Sequence, residues 1–184
     1  MENSEQGAAA SRISYPDAFS GISGDMTIGA LVDAGVDRAA IEAGLASLGT
    51  GASFIFEKTK RQGIAAAKFS VTGGETKSHR HLPRILRIID CADLLPTVRE
   101  RASAVFRRLG EAEATVHNVP VENIHFHEVG AVDSICDIVA SCLALELLGI
   151  DRVCSSPVNI GAGTVPDRAW HSSVPAPARR GRIE

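Results

Sequence analysis

The densest group of metal-capable side chains is His125-Phe126-His127-Glu128, followed closely by Asp133 and Asp137. Residues two apart in an extended segment face the same side, so His125 and His127 offer two imidazoles to one point. On a following helix, Asp133 and Asp137 stand at i and i+4, which places both carboxylates on one face near its N-terminal end. Nitrogen and oxygen donors of this kind suit nickel, zinc, iron or manganese and discriminate poorly among them. A blander reading competes: the aspartates form the solvated stripe of a buried helix, favoured by its dipole, and the histidines are hydrogen-bonded structural residues. So apolar a helix has little structural reason to present two carboxylates beside two histidines, and that keeps the metal reading in play.

A second candidate lies at Ser20-Gly21-Ile22-Ser23-Gly24-Asp25, preceded by Asp17. Gly21 and Gly24 would let backbone approach a ligand, Ser20 and Ser23 would donate, and a helix start would add amide donors, which together make an anion cradle. It is not a Walker loop, because the G-x-x-x-x-G-K-[ST] pattern is absent. An ordinary capped turn explains Ser23 and Asp25 equally well. Asp17 and Asp25 would repel a phosphate unless a cation lay between, so the arrangement hints at a metal-bridged ligand. His79 and His81, two apart in a polar stretch, could pass metal to a site or simply be surface residues. His117 reads as a last-turn cation of a helix. The four cysteines lack C-x-x-C spacing, which favours buried free thiols, with Cys136 kept open as a metal thiolate.

Positioning these residues falls to a series of short elements. Ile13 to Tyr15 reads as a strand; Met26, Ala30, Leu31 and Ala34 mark a helix ending at Gly35. Asp37 caps a second helix with Ile41, Leu45 and Leu48 buried, stopped by Gly49. Alternation from Phe54 to Thr72, interrupted at Gln62-Gly63, predicts a β-hairpin. The stretch 73–81 has no apolar period and reads as an exposed loop. Helices follow from Pro83, with Leu82, Ile85, Leu86 and Ile89, and from Pro96, with the stripe Val98, Ala102, Val105, Phe106, Leu109, Ala112 and Val116. Another runs from about Val132 to Leu148, apolar on most sides, before a short strand at Val153. Glycines and prolines beyond Pro157 predict irregular structure. The order β-α-α-β-β-α-α-α-β places the chain in the α/β class in its mixed α+β form: a small mixed sheet including one β-hairpin, covered by helices.

With 184 residues and 45% hydrophobic composition, the chain can enclose one ordinary core. Its formal net charge of −3 is small and both signs are scattered. That is no basis for binding nucleic acid. The polar opening, residues 1–12, reads as a flexible tail and not as a secretion signal. No segment holds the roughly 18 consecutive apolar residues of a membrane span. The expected location is cytoplasmic.

The long words Asp17-Ala18-Phe19-Ser20-Gly21-Ile22-Ser23-Gly24-Asp25-Met26, His79-Arg80-His81-Leu82 and His125-Phe126-His127-Glu128-Val129-Gly130-Ala131-Val132-Asp133-Ser134 resemble the LarC family. The likeness continues through Asp137-Ile138-Val139, Ala144 to Gly149 and Ser155-Ser156-Pro157, and covers nearly everything from Tyr15 to Val165. It implies insertion of nickel into pyridinium-3,5-bisthiocarboxylic acid mononucleotide to make the nickel-pincer nucleotide, a lyase-class reaction requiring CTP with Mn2+ or Mg2+. Carried onto matching positions, it implies Asp17, Asp25 and Glu128 as catalytic candidates. Ser20, Gly21, Ser23 and Gly24 would bind the nucleotide, and His79, His81, His125, His127, Asp133 and Asp137 would handle metal. The family commonly has a longer histidine run where this chain has only His79 and His81. Its usual continuation is replaced after Ala178 by Arg179-Arg180-Gly181-Arg182, so residues 13–165 are expected to form the family's N-terminal domain and 166–184 a truncated, irregular tail. The family's C-terminal domain, by the same resemblance, supplies cytidine-nucleotide binding and oligomer formation, and a separate polypeptide carrying it is an expected partner. Two further readings stay open: a non-catalytic nickel-binding or scaffold fragment, and a two-metal phosphate-ester hydrolase using Asp17, Asp25 and the histidines.

Overall fold

The computed structural model describes residues 11–19, 21–74, 80–126, 131–159, 161–166 and 171–173. Strand β1 (Ile13–Ser14) leads into helix α1 (Gly24–Asp33), which Gly35 terminates at φ +103°. Helix α2 (Arg38–Ala46) starts where its sequence says it should: the Asp37 carboxylate accepts from the Ala39 amide at 2.9 Å. Strands β2 (Ala52–Arg61) and β3 (Ile64–Gly73) form the expected antiparallel hairpin, turning through Gln62 and Gly63, both at positive φ. Helix α3 (Leu82–Cys91) and the long α4 (Pro96–His117) each carry a proline in the first turn, where a missing amide hydrogen costs nothing. Asn118, in the left-handed region at φ 51°, closes α4. The buried helix α5 (Val132–Leu147) completes the helical set.

The core is one apolar cluster, with α5 packed against α1, α2 and α4. Ile135, Cys136, Val139 and Ala140 are fully buried on α5 and share that cluster with Ile28, Ile41, Leu45, Val98 and Phe106. The hairpin closes over α1 and adds Phe69, stacked with Phe54 and tilted against Phe56. Gly29 allows this approach: a Cβ there would stand 2.5 Å from the Ala67 carbonyl oxygen.

The α/β class stands, but the described strands do not join in one mixed sheet. They form four two-stranded pairs: β1 with β6 (Arg152–Val153), parallel; β2 with β3; β4 (Arg80–His81) with β5 (His125–Phe126); and β7 (Thr164–Pro166) with β8 (His171–Ser173). The hairpin packs on α1, with further contacts to α2 and α5, so no common sheet is needed to complete the core. Two expectations are thereby corrected. Arg80 and His81 belong to a strand, not to the polar loop, and the region beyond Pro157 contains the β7–β8 pair despite its prolines, with Pro166 at a strand end. Among the described residues, no helix is long and apolar enough to cross a membrane.

Candidate functional site

The pairing of β4 with β5 sets His81 directly opposite His125. Their rings stand 3.8 Å apart between centroids, tilted by 51°. His81 and His125 are exposed, while the residue after each is buried: Leu82, which opens α3, and Phe126 on β5, which lies edge-on to Phe106. Alternation along β5 buries Phe126 on one side and leaves His125 beside His81 on the other. His79, His127 and Glu128 lie outside the described residues.

A second group of candidates meets where α1 and α5 begin. Gly24 packs so tightly against α5 that a Cβ would stand 2.5 Å from the Asp137 side chain. This contact brings Asp25, on the first turn of α1, into the field of Asp137 and Asp133. Burial, then the charge of Asp25, then that of Asp133, raise the Asp137 pKa from 3.8 to about 6. The Ser23 hydroxyl donates to the Asp25 carboxylate, so Ser23 satisfies a side chain instead of capping the helix amides. Asp133 accepts from the Ser134 amide at 2.8 Å. The expected i, i+4 pair is present on α5 and gains a third carboxylate from another helix. Among the described residues, no three of His, Cys, Asp and Glu converge closely enough to hold one metal ion. The imidazole pair and the carboxylate group are therefore two features, not one ligand set.

The proposed anion cradle is divided between two clefts that share Met26 and Ala30 as a common ridge. Ser23 and Asp25 line a cleft of about 570 Å³ between α1 and β3, which also receives Gly29, Asp33 and Lys68. Asp17 and Gly21 line the other, of about 310 Å³. Gly21 takes φ +90°, a conformation that favours glycine. Ser20 lies outside the described residues. Asp17 and Asp25 thus face different spaces, which the sequence treated as one.

Lys68 and Tyr15 are cleft residues that the sequence reading passed over. Nothing local to β3 shows that α1 forms the wall opposite Lys68. Cys136 is fully buried among core side chains, and Cys142, also buried, has its thiol pushed up to about 11 by burial, against a smaller lowering from Arg101. Arg101 itself pairs with Glu146 at 2.8 Å. His117 ends α4 with its Nε2 3.5 Å from a Glu113 oxygen. His171 falls in β8.

Comparisons with known proteins agree with one another. A relative from Desulfitobacterium hafniense, named pyridinium-3,5-bisthiocarboxylic acid mononucleotide nickel insertion protein, is 45% identical over 168 residues, covering 91% of this chain and 41% of its own length. A protein of the same name from Geobacillus kaustophilus is 45% identical over 178 residues, covering 91% and 43%. A Geobacter metallireducens relative, also named for nickel insertion, is 46% identical over 170 residues, with 91% and 44% covered. The chain thus spans less than half the length of the curated relatives it matches. No solved structure matches it. The profile of the nickel insertion protein family matches residues 14–180, a stretch that contains every candidate residue above, and the chain belongs to that family.

Proposed function

We propose that this chain takes part in inserting nickel into pyridinium-3,5-bisthiocarboxylic acid mononucleotide, and that the paired imidazoles of His81 and His125 receive the metal. The observation that carries this reading is their juxtaposition, 3.8 Å between ring centroids, on an exposed two-strand surface. Neutral imidazole suits nickel. His79 and His127 complete the proposed set from the flanking segments. Nickel here is a substrate, handed from the histidines toward the mononucleotide, with CTP and Mn2+ or Mg2+ supplying the energy-rich partner in the cytoplasm.

Forming a carbon–nickel bond releases a proton from the ring carbon, and some group must accept it. Asp25, Asp17 and Glu128 are the catalytic candidates, and Asp137, with a pKa of about 6, is tuned to take up a proton near neutral pH. Asp133 and Asp137 would attract the cation as it approaches. Ser20, Gly21, Ser23 and Gly24 remain the proposed nucleotide contacts, Gly21 and Ser23 lining different clefts.

Equilibrium dialysis against nickel tests the core of this reading. The chain should bind nickel stoichiometrically, and a His81→Ala/His125→Ala variant should lose that site. Equal, weak binding by both proteins would make the histidines structural.

A second reading is favoured by the absence of any three-ligand group among the described residues. In it, the chain binds nickel without catalysing insertion by itself, and a separate polypeptide completes the site. Nickel, mononucleotide, CTP and Mn2+ added to the chain alone would then give no product. Adding a relative's C-terminal half would restore it.

A further inference from the structure

We propose that Arg84 holds a thiocarboxylate of the mononucleotide against the His81–His125 pair, an assignment that rests on the substrate and metal readings above. The mononucleotide carries two thiocarboxylic acid groups and a phosphate, all ionised at neutral pH, against a single positive ring charge. The site that receives it therefore needs a cation. Neither cleft offers one in excess: Asp17 lines the smaller, and in the larger Asp25 and Asp33 stand against Lys68. At the start of α3 the balance is reversed. His81 is the N-cap of that helix and Arg84 its third residue. In a capping box the side chain at this third position reaches back to the N-cap residue, which here carries one of the two imidazoles.

Packing fixes which residues of α3 face outward. Leu82, Ile85 and Ile89 are buried, and Gly110 of α4 lies so close that a Cβ there would stand 3.0 Å from a Leu82 methyl, which sets the rotation of α3 against α4. Pro83, Arg84 and Arg87 are left exposed, as are both imidazoles. Helix stability does not explain an arginine at this point. The first turn of α3 contains no acidic residue, and a cation there opposes the helix dipole, where a capping box would place glutamate or glutamine. His81 makes no side-chain capping bond, so its ring is not occupied at the helix end. The chemistry of the ligand divides to match. A thiocarboxylate has a soft sulfur, fit to bind a transition metal, and a hard oxygen, fit to accept from guanidinium N–H groups. Both stand on one carbon, so nickel held by the imidazoles and the arginine beside them can grip the same group from two sides.

Thiobenzoate, with one thiocarboxylate and no phosphate, is the probe. Nickel is first bound to the full chain and measured by dialysis; thiobenzoate is then titrated in and the sulfur-to-nickel charge-transfer absorption followed. The parent should give a saturable band. Arg84→Ala should bind nickel as the parent does but hold thiobenzoate about three- to fivefold more weakly, the size of an exposed charge pair, and the mononucleotide should weaken by a similar factor in dialysis. Arg84→Lys, which keeps the charge without the planar fork, should fall between them. Arg87→Ala, one turn further along α3, should match the parent. An equal loss in Arg87→Ala would reduce the effect to diffuse attraction and overturn the assignment. Weakened mononucleotide with unchanged thiobenzoate would mean that the arginine holds the phosphate, and neither weakened would mean that it holds nothing. Each of these overturns the proposal and leaves the metal reading standing, as does nickel bound by the parent with no band on adding thiobenzoate. Failure of the parent to bind nickel shows at the first dialysis and overturns both.

Discussion

Asp137 sits where three carboxylates share a junction of two helix starts, and its raised pKa has a consequence for stability. The unfolded chain releases this proton near the ordinary value of 3.8, while the fold retains it to about 6. Between those values the native state binds more protons, so this group's contribution makes stability fall as pH rises, and above about pH 6 the loss is constant. Asp137→Asn removes the penalty. In metal-free protein the variant should be more stable than its parent at pH 7 by on the order of 1 kcal/mol, discounted for partial exposure, with the difference fading below pH 4. Urea unfolding of both proteins at several pH values checks this, and a difference that does not change with pH would rule it out. The spacing of Asp133 and Asp137 was readable from the sequence because helix periodicity is local. The third partner was not, since Asp25 arrives only because Gly24 lets α1 approach α5.

Helix contacts in this fold are set by where side chains are missing, and two glycines show how the neighbour decides the cost. A Cβ at Gly29 would stand 2.5 Å from the backbone oxygen of Ala67, and β3 cannot yield without breaking register with β2. A Cβ at Gly44 would also come within 2.5 Å of an atom, but that atom is a terminal methyl of Leu143. A leucine methyl can rotate away; a strand carbonyl cannot. Gly29→Ala should therefore cost about 2–3 kcal/mol as overpacking. Gly44→Ala should be within about 1 kcal/mol of neutral, because the helix-propensity gain of alanine offsets a small repacking strain. Chemical denaturation of the two variants gives the comparison, and equal losses would show that the Leu143 side of the core is as stiff as the strand. Elements with long periodic patterns, namely the hairpin and α1 to α5, were legible in advance. The pairs β4–β5 and β7–β8 were not: strands of two or three residues carry too little alternation to be read, and their partners are distant in sequence.

Across the whole molecule, one apolar core holds an imidazole pair on one surface and a carboxylate junction with two clefts on another set of elements. The chemistry-bearing residue types were visible in the sequence, yet their grouping was not, because His81 and His125 meet through strand pairing and Asp17 parts from Asp25 through the path of the loop between them. This separation makes nickel binding a test of the arrangement. A ligand that binds only the folded state stabilises it by RT ln(1 + [L]/Kd), about 2.7 kcal/mol at a hundredfold excess over Kd. For a chain of this size that corresponds to a rise in Tm of about 5–10 °C. The parent should show this rise in a thermal scan with nickel, and so should Asp17→Asn, whose altered side chain lies at the other cleft. His81→Ala should lose most of it while unfolding near the parent's metal-free temperature, since the His81 side chain is exposed and contributes little to the core. The opposite pattern, with His81→Ala still stabilised and Asp17→Asn not, would move the metal from the β4–β5 surface to the loop that precedes α1.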